Sequence, residues 1–279
     1  MSESNPLKQY FRQPAIYIRL PSNGQGWPPG ALIMPSNGEL PIYPMTAIDE
    51  ITYRTPDALF NGQAVIDVIH SCVPAIKDAW AAPMSDLNSI LVAIRIASYG
   101  HDMEFGTTCP KCNNEDNYDL DLRSVMDQIS APDFAKTLRH GDLEIAFRSM
   151  TYREQNASNL KQFENQQLVR AIPDSDLSDE EKVRRMTEVM KDITQLTVVA
   201  LTNSIAHIST PDAMVTNNAQ IHEFLTNCDR NLFARVRDHV IDTRKGSDLK
   251  PVNIKCTNCS NEYEQGINLD MANFFAPAS

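Results

Sequence analysis

Two Cys-x-x-Cys pairs, 147 residues apart, constrain this chain more than any other feature of its sequence. The first lies in GTTCPKCNNEDNYDLDL at residues 106–122, and the second lies in NIKCTNCSNEYEQGINL at residues 253–269. A shift of 147 residues also superposes several neighbours: Asn114 on Asn261, Glu115 on Glu262, Leu120 on Ile267 and Leu122 on Leu269. We interpret the two stretches as one small unit that occurs twice, with a cysteine turn between the strands of a hairpin.

The cysteines in these turns have the spacing of metal ligands. A tight Cys-x-x-Cys turn places two thiolates on one side, and two such turns supply the four sulfur ligands of a tetrahedral zinc site. We therefore expect one structural zinc ion, bound by Cys109, Cys112, Cys256 and Cys259. Four thiolates with no other ligand suit zinc best. Because four sulfur atoms leave no position for water, this zinc would hold structure and would not catalyse hydrolysis.

Two other interpretations of the cysteine pairs stay open at this point. The pairs are separated by 143 residues, far more than the roughly 15 to 20 residues of a compact zinc ribbon. They could be independent turns with unligated thiols, or one of them could be a redox dithiol. Thioredoxin-like chemistry needs the cysteines at the start of a helix, whereas Asn113, Asn114, Glu115 and Asp116 continue the first pair as a turn.

The N-terminal part of the chain is rich in proline and has short strand patterns. Nine of the seventeen prolines lie in the first 56 residues, which excludes a long helix there. AIYIRL at residues 15–20 alternates as a strand does, and ELPIYPM at residues 39–45 is typical of an edge strand. Thr55 and Pro56 together favour the start of a helix.

Helical periodicity dominates after residue 56. Ser85 and Asp86 begin a predicted helix that ends at Gly100 and has one apolar face, formed by Leu87, Ile90, Leu91 and Ile94. LEIAFRSM at residues 143–150 is a strand candidate, and residues 151–171 have a polar helical pattern.

A long helix is predicted to begin at Ser178, which has capping-box spacing to Glu181, and to run to Ile208. Its apolar stripe is formed by five residues: Val183, Met186, Met190, Ile193 and Leu196. Asn217 and Asp229 are expected to cap two shorter helices.

These patterns predict an α+β protein that is mostly helical and has a small β part, which includes the two zinc-knuckle hairpins. We divide the chain into five segments: an extended arm with short strands at 1–55, a helical segment at 56–100, strands with the first knuckle at 101–150, a helical domain inserted between the knuckles at 151–246, and the second knuckle with a C-terminal tail at 247–279.

Charge and composition exclude several classes of function. The formal net charge of -11 opposes binding to nucleic acid and to anionic membranes, and no apolar run is long enough to span a bilayer. The N-terminus lacks the order of a signal peptide, so we expect a cytosolic protein with reduced thiols. No phosphate-binding loop or nucleophile elbow occurs, and Cys72 and Cys228 lie among apolar residues as core side chains do. We therefore expect that the protein is not an enzyme.

The order of these parts resembles a known family. The chain begins with LPSNG and ELPIYPMTAIDEITYRTPDALFNGQAVIDVIHSCVPAI, continues with DLNSILVAIRIASYG, and then reaches a strand that carries CPKC. Over about residues 12–125, this order is similar to that of the baseplate hub proteins of T4-like contractile-tailed bacteriophages.

The resemblance implies a structural subunit of the tail baseplate in the hub region, without catalytic residues. It would be assembled in the host cytoplasm and located in the virion tail baseplate. Its partners would be other baseplate, hub and tail-tube proteins, with no nucleic acid and no membrane among them, and a homo-oligomer within the baseplate is compatible with the sequence. Phe274 and Phe275 near the C-terminus could fill an apolar pocket of a neighbour or pack within the chain.

Two alternatives to a baseplate subunit remain. A close variant is a hub assembly factor that is absent from the mature virion. The other is a zinc-ribbon adaptor or regulator, which would need a basic surface around the knuckles. The basic residues near the knuckles are Lys111, Lys250 and Lys255, and they are outnumbered by Glu104, Glu115, Asp116, Glu262 and Glu264. This balance favours the baseplate interpretation.

Overall fold

The computed structural model describes residues 5–53, 62–245, 250–266 and 275. The chain divides into two compact units. The first comprises Met1–Ala79, Ser85–Ser130 and Asp248–Ser279, and the second comprises Trp80–Met84 and Ala131–Ser247. Both units contain helices and strands, which confirms the α+β prediction. The division into five segments stays a prediction.

The N-terminal strands of the first unit form a two-stranded ribbon. Strand β1 (Ile16–Ile18) pairs antiparallel with β2 (Leu40–Ile42), in the two stretches that the sequence predicts as strands. In this register Ile18 lies opposite Leu40, and both are buried. The ribbon therefore contributes one apolar face to the core of this unit.

In the described part of the first unit the α-helices are α1 (Ala47–Tyr53), α2 (Gln63–Cys72), α3 (Met84–Tyr99) and α4 (Leu122–Gln128). Of their residues, only Met84 is assigned to the other unit. The four predicted apolar residues of α3 are all buried. Gly100 follows with φ 87°, a left-handed conformation that ends the helix. Cys72 is fully buried, as predicted. The predicted helix start at Thr55 and Pro56 lies outside the described residues.

Asp86, in the first turn of α3, holds the long loop that joins the two N-terminal strands. Its carboxylate accepts hydrogen bonds from the Ser22 backbone N–H at 2.9 Å, from the Ser22 hydroxyl, and from the Trp27 indole N–H at 2.7 Å. Asp86 is fully buried, and burial raises the pKa of its carboxyl group, while these hydrogen bonds lower it in part. A buried carboxylate therefore fixes a loop that has no regular secondary structure of its own.

The remaining strands of the first unit form two separate hairpins. Strand β3 (Asp102–Thr108) pairs with β4 (Glu115–Asp121), and β9 (Val252–Lys255) pairs with β10 (Glu262–Gln265). Near the C-terminus, Phe275 is buried and packs edge-on against Tyr53 with 4.8 Å between ring centroids. Phe275 thus packs within its own chain, whereas Phe274 lies outside the described residues.

The second unit is built on a four-stranded antiparallel sheet in the order β5 (Leu138–His140), β6 (Leu143–Phe147), β7 (Ile205–Ser209) and β8 (Met214–Val215). Its helices are α5 (Tyr152–Ala171), α6 (Asp179–Ser204), α7 (Asn218–Asn227) and α8 (Arg230–Lys245). The sheet and helices enclose one apolar cluster, formed by Ile145, Phe147, Leu201, Ile205, Ile208, Ile221, Leu225, Leu232 and Val236.

The prediction of a helix that runs to Ile208 is wrong. Helix α6 ends at Ser204, and Ile205 is extended, with φ -95° and ψ 129°. Residues from Ile205 onward pair with β6, where Ile208 lies opposite Ile145. Isoleucine fits a half-buried pleated strand at least as well as a helix, so pairing with a distant strand decides the conformation here.

The three helix starts predicted in the second unit are confirmed. Ser178 caps α6, Asn217 caps α7, and the Asp229 carboxylate accepts hydrogen bonds from the first turn of α8. Thr151 and Glu154 form a capping box at the start of α5, which was not predicted from the sequence. Among the described helices, none combines the length and the apolar character that a bilayer span requires.

Candidate metal centre

The two cysteine pairs lie in equivalent turns of the two hairpins of the first unit. In the first hairpin the strands end with Thr108 opposite Glu115, and in the second they end with Lys255 opposite Glu262. These positions correspond under the 147-residue shift. The predicted repeat is therefore a repeat of hairpin register as well as of sequence.

The two turns have the same backbone hydrogen bonds, each 2.9 Å long. The bonds run from Asn113 N–H to Cys109 C=O and from Cys109 N–H to Asn114 C=O in the first turn, and from Ser260 N–H to Cys256 C=O and from Cys256 N–H to Asn261 C=O in the second. Because the same bonds close both turns, each turn directs its two sulfur atoms to the same side.

The four sulfur atoms of these turns form one compact cluster, with every pair within 4.8 Å. The Sγ atoms of Cys109 and Cys259 are 3.7 Å apart, and so are those of Cys112 and Cys256. In a tetrahedral site with zinc–sulfur bonds of about 2.3 Å, the sulfur atoms are about 3.8 Å apart. The spacing fits a tetrahedral metal ion and is far longer than a disulfide bond, which is about 2.05 Å.

The cluster is symmetric and partly enclosed. The first cysteine of each hairpin lies 3.7 Å, sulfur to sulfur, from the second cysteine of the other, so the two hairpins meet with approximate twofold symmetry. Cys109 and Cys256 are buried, whereas Cys112 and Cys259 are half-buried. The Asn258 amide lies 3.8 Å from the Cys112 sulfur atom and donates toward it. A bound ion would be screened from water on the side of the two buried cysteines.

Polar contacts also join the hairpins beside the cysteines. The Tyr118 hydroxyl donates to the Lys255 carbonyl at 3.3 Å, and the Thr107 hydroxyl donates to the Gln265 side chain at 2.7 Å. Tyr118 and Gln265 occupy equivalent positions under the 147-residue shift. Each hairpin therefore contacts the other from the same position, through a tyrosine in one case and a glutamine in the other. The Thr257 hydroxyl in addition donates to the Asp116 carboxylate.

Hydrogen bonds within the cluster shift the acidity of two of its thiols in opposite directions. Burial raises the pKa of Cys109, but the backbone N–H groups of Lys111 and Cys112 and the neighbouring thiols outweigh burial and lower the pKa to about 6. For Cys259 the N–H of Asn261 lowers the pKa, but burial and hydrogen bonds to the other cysteines raise it to about 12. Four thiolates repel one another at this spacing, and a bound divalent cation would compensate this repulsion.

The structure thus brings together all four cysteines that the sequence analysis predicts as ligands, and they could bind a metal ion. The contacts that Asp116, Thr257, Thr107 and Gln265 make between the hairpins were not predicted from the sequence. The internal repeat gives no signal for the Thr257–Asp116 contact. The residues at the equivalent positions are Pro110 and Tyr263, and this pair cannot form the same hydrogen bond. Among the described residues, these four cysteines form the one group with metal-ligand geometry.

Comparison with known proteins gives one family. A family model described as T4 bacteriophage base plate protein matches residues 32–276, which is most of the chain and includes both cysteine hairpins. No curated protein and no solved structure matches the chain.

Proposed function

The chain belongs to the T4 bacteriophage base plate protein family, and from that membership we propose that it is a structural subunit of a contractile-tail baseplate, located in the hub region. The family match over residues 32–276 is the observation that carries the proposal. The role proposed is assembly through protein–protein contacts and not catalysis. Its partners are other baseplate, hub and tail-tube proteins, and its location is the tail baseplate of the virion.

Within this role, we propose that the cysteine cluster binds one structural zinc ion through Cys109, Cys112, Cys256 and Cys259. The 3.7 Å sulfur–sulfur distances and the all-thiolate ligand set support zinc. The zinc ion cross-links the hairpin at residues 102–121 to the hairpin at residues 252–265. Because the ligands come from distant parts of the chain, metal binding contributes directly to the stability of the folded unit.

The location is tested with phage particles in which the chain carries a short peptide tag. Tail particles purified from an infection are analysed by mass spectrometry, and cross-linking then identifies the neighbours of the chain. Cross-links to baseplate and tube proteins in mature particles support the structural role. Detection only in incomplete hub complexes identifies an assembly factor instead, and absence from both overturns the proposal.

The metal is tested separately, by native mass spectrometry of the purified chain under reducing conditions before and after a strong chelator. One zinc ion for each chain is expected before chelation and none after it. A metal-free chain before chelation contradicts the zinc site but leaves the baseplate role intact, because the family match does not depend on the metal.

A further inference from the structure

The cysteine cluster contains two pairs of thiols that each join one hairpin to the other. The Sγ atoms are 3.7 Å apart between Cys109 and Cys259 and also between Cys112 and Cys256, and the thiols of each pair are placed as donor and acceptor of a hydrogen bond. A disulfide bond is about 2.05 Å long. An approach of less than about 2 Å, shared between two side chains, would therefore turn either contact into a covalent bond.

Each of these pairs combines one accessible thiol with one protected thiol. Cys112 and Cys259 are half-buried, and their partners Cys256 and Cys109 are buried. Cysteines that respond to oxidants are accessible to solvent and lie beside a second cysteine that resolves the oxidised form. The cluster meets this condition twice, with the accessible thiol and the resolving thiol in different hairpins.

Hydrogen bonds beside the cluster hold the two hairpins together independently of the cysteines. The Tyr118 hydroxyl donates to the Lys255 carbonyl at 3.3 Å, and the Thr107 hydroxyl donates to the Gln265 side chain at 2.7 Å. These contacts use no sulfur atom, so they keep the sulfur atoms of opposite hairpins within reach of each other whether or not a metal ion is bound.

Hydrogen peroxide is the simplest oxidant for such a pair. The accessible thiol takes one oxygen atom from the peroxide, becomes a sulfenic acid and releases one water molecule. The buried thiol then attacks the sulfenic sulfur atom, so that the S–S bond forms, the S–O bond breaks and a second water molecule leaves. Each disulfide thus consumes one peroxide molecule, which accepts the two electrons that the two thiols lose. Two disulfides leave no thiolate in the cluster, so a bound zinc ion would be released as Zn²⁺.

We propose that the cysteine cluster is a redox-responsive modification site, at which a peroxide-class oxidant forms the disulfides Cys109–Cys259 and Cys112–Cys256 between the hairpins. Thiols stay reduced in a host cytoplasm and can bind a metal ion there, whereas disulfides persist outside the cell. The two bonds span sequence separations of 150 and 144 residues, and cross-links over such long loops restrict the unfolded chain strongly. The hairpins therefore stay linked in both environments. The inference rests on the proposed function, which supplies the zinc ion and the passage from the cytoplasm into the virion.

The test is a disulfide map of the purified full chain after treatment with hydrogen peroxide. Remaining thiols are blocked by alkylation, and the chain is digested with trypsin without reduction. Trypsin cleaves after Lys111, so Cys109 and Cys112 fall into different peptides, whereas Cys256 and Cys259 stay in one peptide. Bonds between the hairpins therefore join three peptides into one species, which is the expected result.

Other products of the same experiment would contradict the inference. Bonds within the turns would join only the two peptides of the first hairpin to each other, and this result would overturn it. Conversion of the cluster cysteines to sulfinic or sulfonic acids would overturn it as well. Cys228 is the internal control, because it is half-buried and lies outside the cluster. It should stay unpaired, and its pairing with a cluster cysteine would show that oxidation does not follow the geometry of the cluster.

Zinc is measured in the same samples with a chromogenic chelator. We expect it to fall from one ion for each chain to none as the cluster thiols are lost, and dithiothreitol should restore the thiols. Zinc that stays bound after both disulfides have formed would contradict the assignment of these thiols as its ligands.

Two double variants separate the effect of geometry from the effect of exposure. Cys109→Ser with Cys259→Ser leaves the hydrogen-bonded pair Cys112 and Cys256, whereas Cys109→Ser with Cys256→Ser leaves Cys112 and Cys259, which are both half-buried. Each variant lacks two of the four ligands. The first variant is expected to form its disulfide faster, and an equal or higher rate in the second would overturn the proposed pairing. If either variant loses its circular dichroism spectrum, the map of the wild-type chain decides.

Failure of this inference is distinguishable from failure of the proposed function. A chain that carries no zinc but still forms the joined peptides supports the inference and contradicts the zinc site. In phage particles purified without a reducing agent, the joined peptides are expected, whereas chains from infected cells, blocked by alkylation before lysis, should carry reduced cluster thiols. Reduced cluster thiols in released particles would overturn oxidation outside the host. Absence of the chain from particles contradicts the baseplate role, and the map of the purified chain then decides the fate of the thiols.

Discussion

Asn113 and Ser260, which lie 147 residues apart, have the same left-handed backbone conformation, with φ angles of 53° and 56°. Each residue follows the second cysteine of its pair and donates its N–H to the carbonyl of the first cysteine. This region of φ is costly for residues other than glycine, and asparagine tolerates it better than serine. Both cysteine turns therefore contain backbone strain, and the turn with Ser260 contains more.

This asymmetry predicts the effect of glycine at the two positions. Ser260→Gly is expected to raise the free energy of unfolding by roughly 0.5–1 kcal/mol, because the strain removed exceeds the extra entropy that glycine has in the unfolded chain. Asn113→Gly should change stability by less than about 0.5 kcal/mol. Denaturant unfolding of the two variants measures both effects. Equal gains in unfolding free energy from Ser260→Gly and Asn113→Gly would contradict our inference that the serine turn contains more backbone strain.

Loss of one cysteine tests whether a metal ion bound by the cluster links the two hairpins and stabilises the fold. Cys256 is buried and lies 3.7 Å from Cys112, so Cys256→Ser removes a central sulfur atom. Replacing a residue that only contacts a metal ligand lowers metal affinity roughly 10- to 100-fold. We expect a larger fall here, because the substitution removes a ligand itself. Hydrogen exchange at Val252–Gln265 should become faster, and the melting temperature should fall.

Cys228→Ser is the control for that experiment, because Cys228 is half-buried and lies outside the cysteine cluster. It should retain its metal and its melting temperature within experimental error. If Cys256→Ser and a chelator both leave the melting curve unchanged, the cluster does not stabilise the fold through a metal.

Local signals in the sequence predicted most of the helices in the described part of the chain and the grouping of the four cysteines. The helix from Met84 to Tyr99 followed from its apolar spacing and from Gly100, and the starts of α7 and α8 followed from Asn217 and Asp229. These signals act over a few residues, so they can be read without knowledge of the fold. The grouping of the cysteines could be predicted because two Cys-x-x-Cys turns with matching neighbours have the residue type and spacing of a metal site; that they bind a metal stays a prediction.

The remaining features depend on contacts between distant residues. Strand β7 forms because Ile205–Ser209 pairs with a strand that lies about 60 residues earlier, and its isoleucines are compatible with either conformation. Likewise, the Thr107–Gln265 and Tyr118–Lys255 contacts follow from how two hairpins meet, and neither hairpin's sequence specifies them alone.

Asp86 provides a test of how the first unit holds its irregular N-terminal loop. Asp86→Ala removes the acceptor for the Ser22 N–H and the Trp27 indole N–H, so two half-buried donors lose their partner. We expect a loss of about 1–3 kcal/mol in the free energy of unfolding, because hydrogen bonds to a charged group contribute about 1.5–3 kcal/mol when buried and less when water can replace them. Denaturant unfolding followed by tryptophan fluorescence reports both stability and the environment of Trp27.

The control for Asp86 is Asp67→Ala. Asp67 is an exposed acid of α2 that accepts one hydrogen bond, from Gln63 at 2.7 Å. This substitution should change stability by less than about 0.5 kcal/mol. Similar losses for both aspartates would show that the buried network is not what holds the loop.

The start of α5 should make stability depend on pH. Glu154 accepts hydrogen bonds from the Arg148 guanidinium at 2.6 and 3.0 Å and from the Thr151 N–H at 2.9 Å. Burial raises the pKa of Glu154, but Arg148 and the Thr151 N–H outweigh burial and hold it below its ordinary value of 4.5. Since the folded protein binds the proton less readily than the unfolded chain, this interaction stabilises the fold above about pH 4.5 and is lost as the pH falls through the lowered pKa.

Glu154→Gln should therefore cost about 1 kcal/mol at neutral pH, because it removes the charge from a capping-box residue that is also ion-paired. The difference from wild type should shrink as the pH falls below about 4.5 and disappear below the lowered pKa, where the folded wild-type carboxyl group is protonated as well. Glu164→Gln is the matched control: Glu164 is exposed on the same helix and pairs with Lys161 at 3.2 Å, so its loss should cost less than about 0.5 kcal/mol. Unfolding free energies of the three proteins from pH 7 to pH 3 provide the measurement, and a Glu154→Gln deficit that stays constant across this range would show that the carboxylate charge does not stabilise the start of α5.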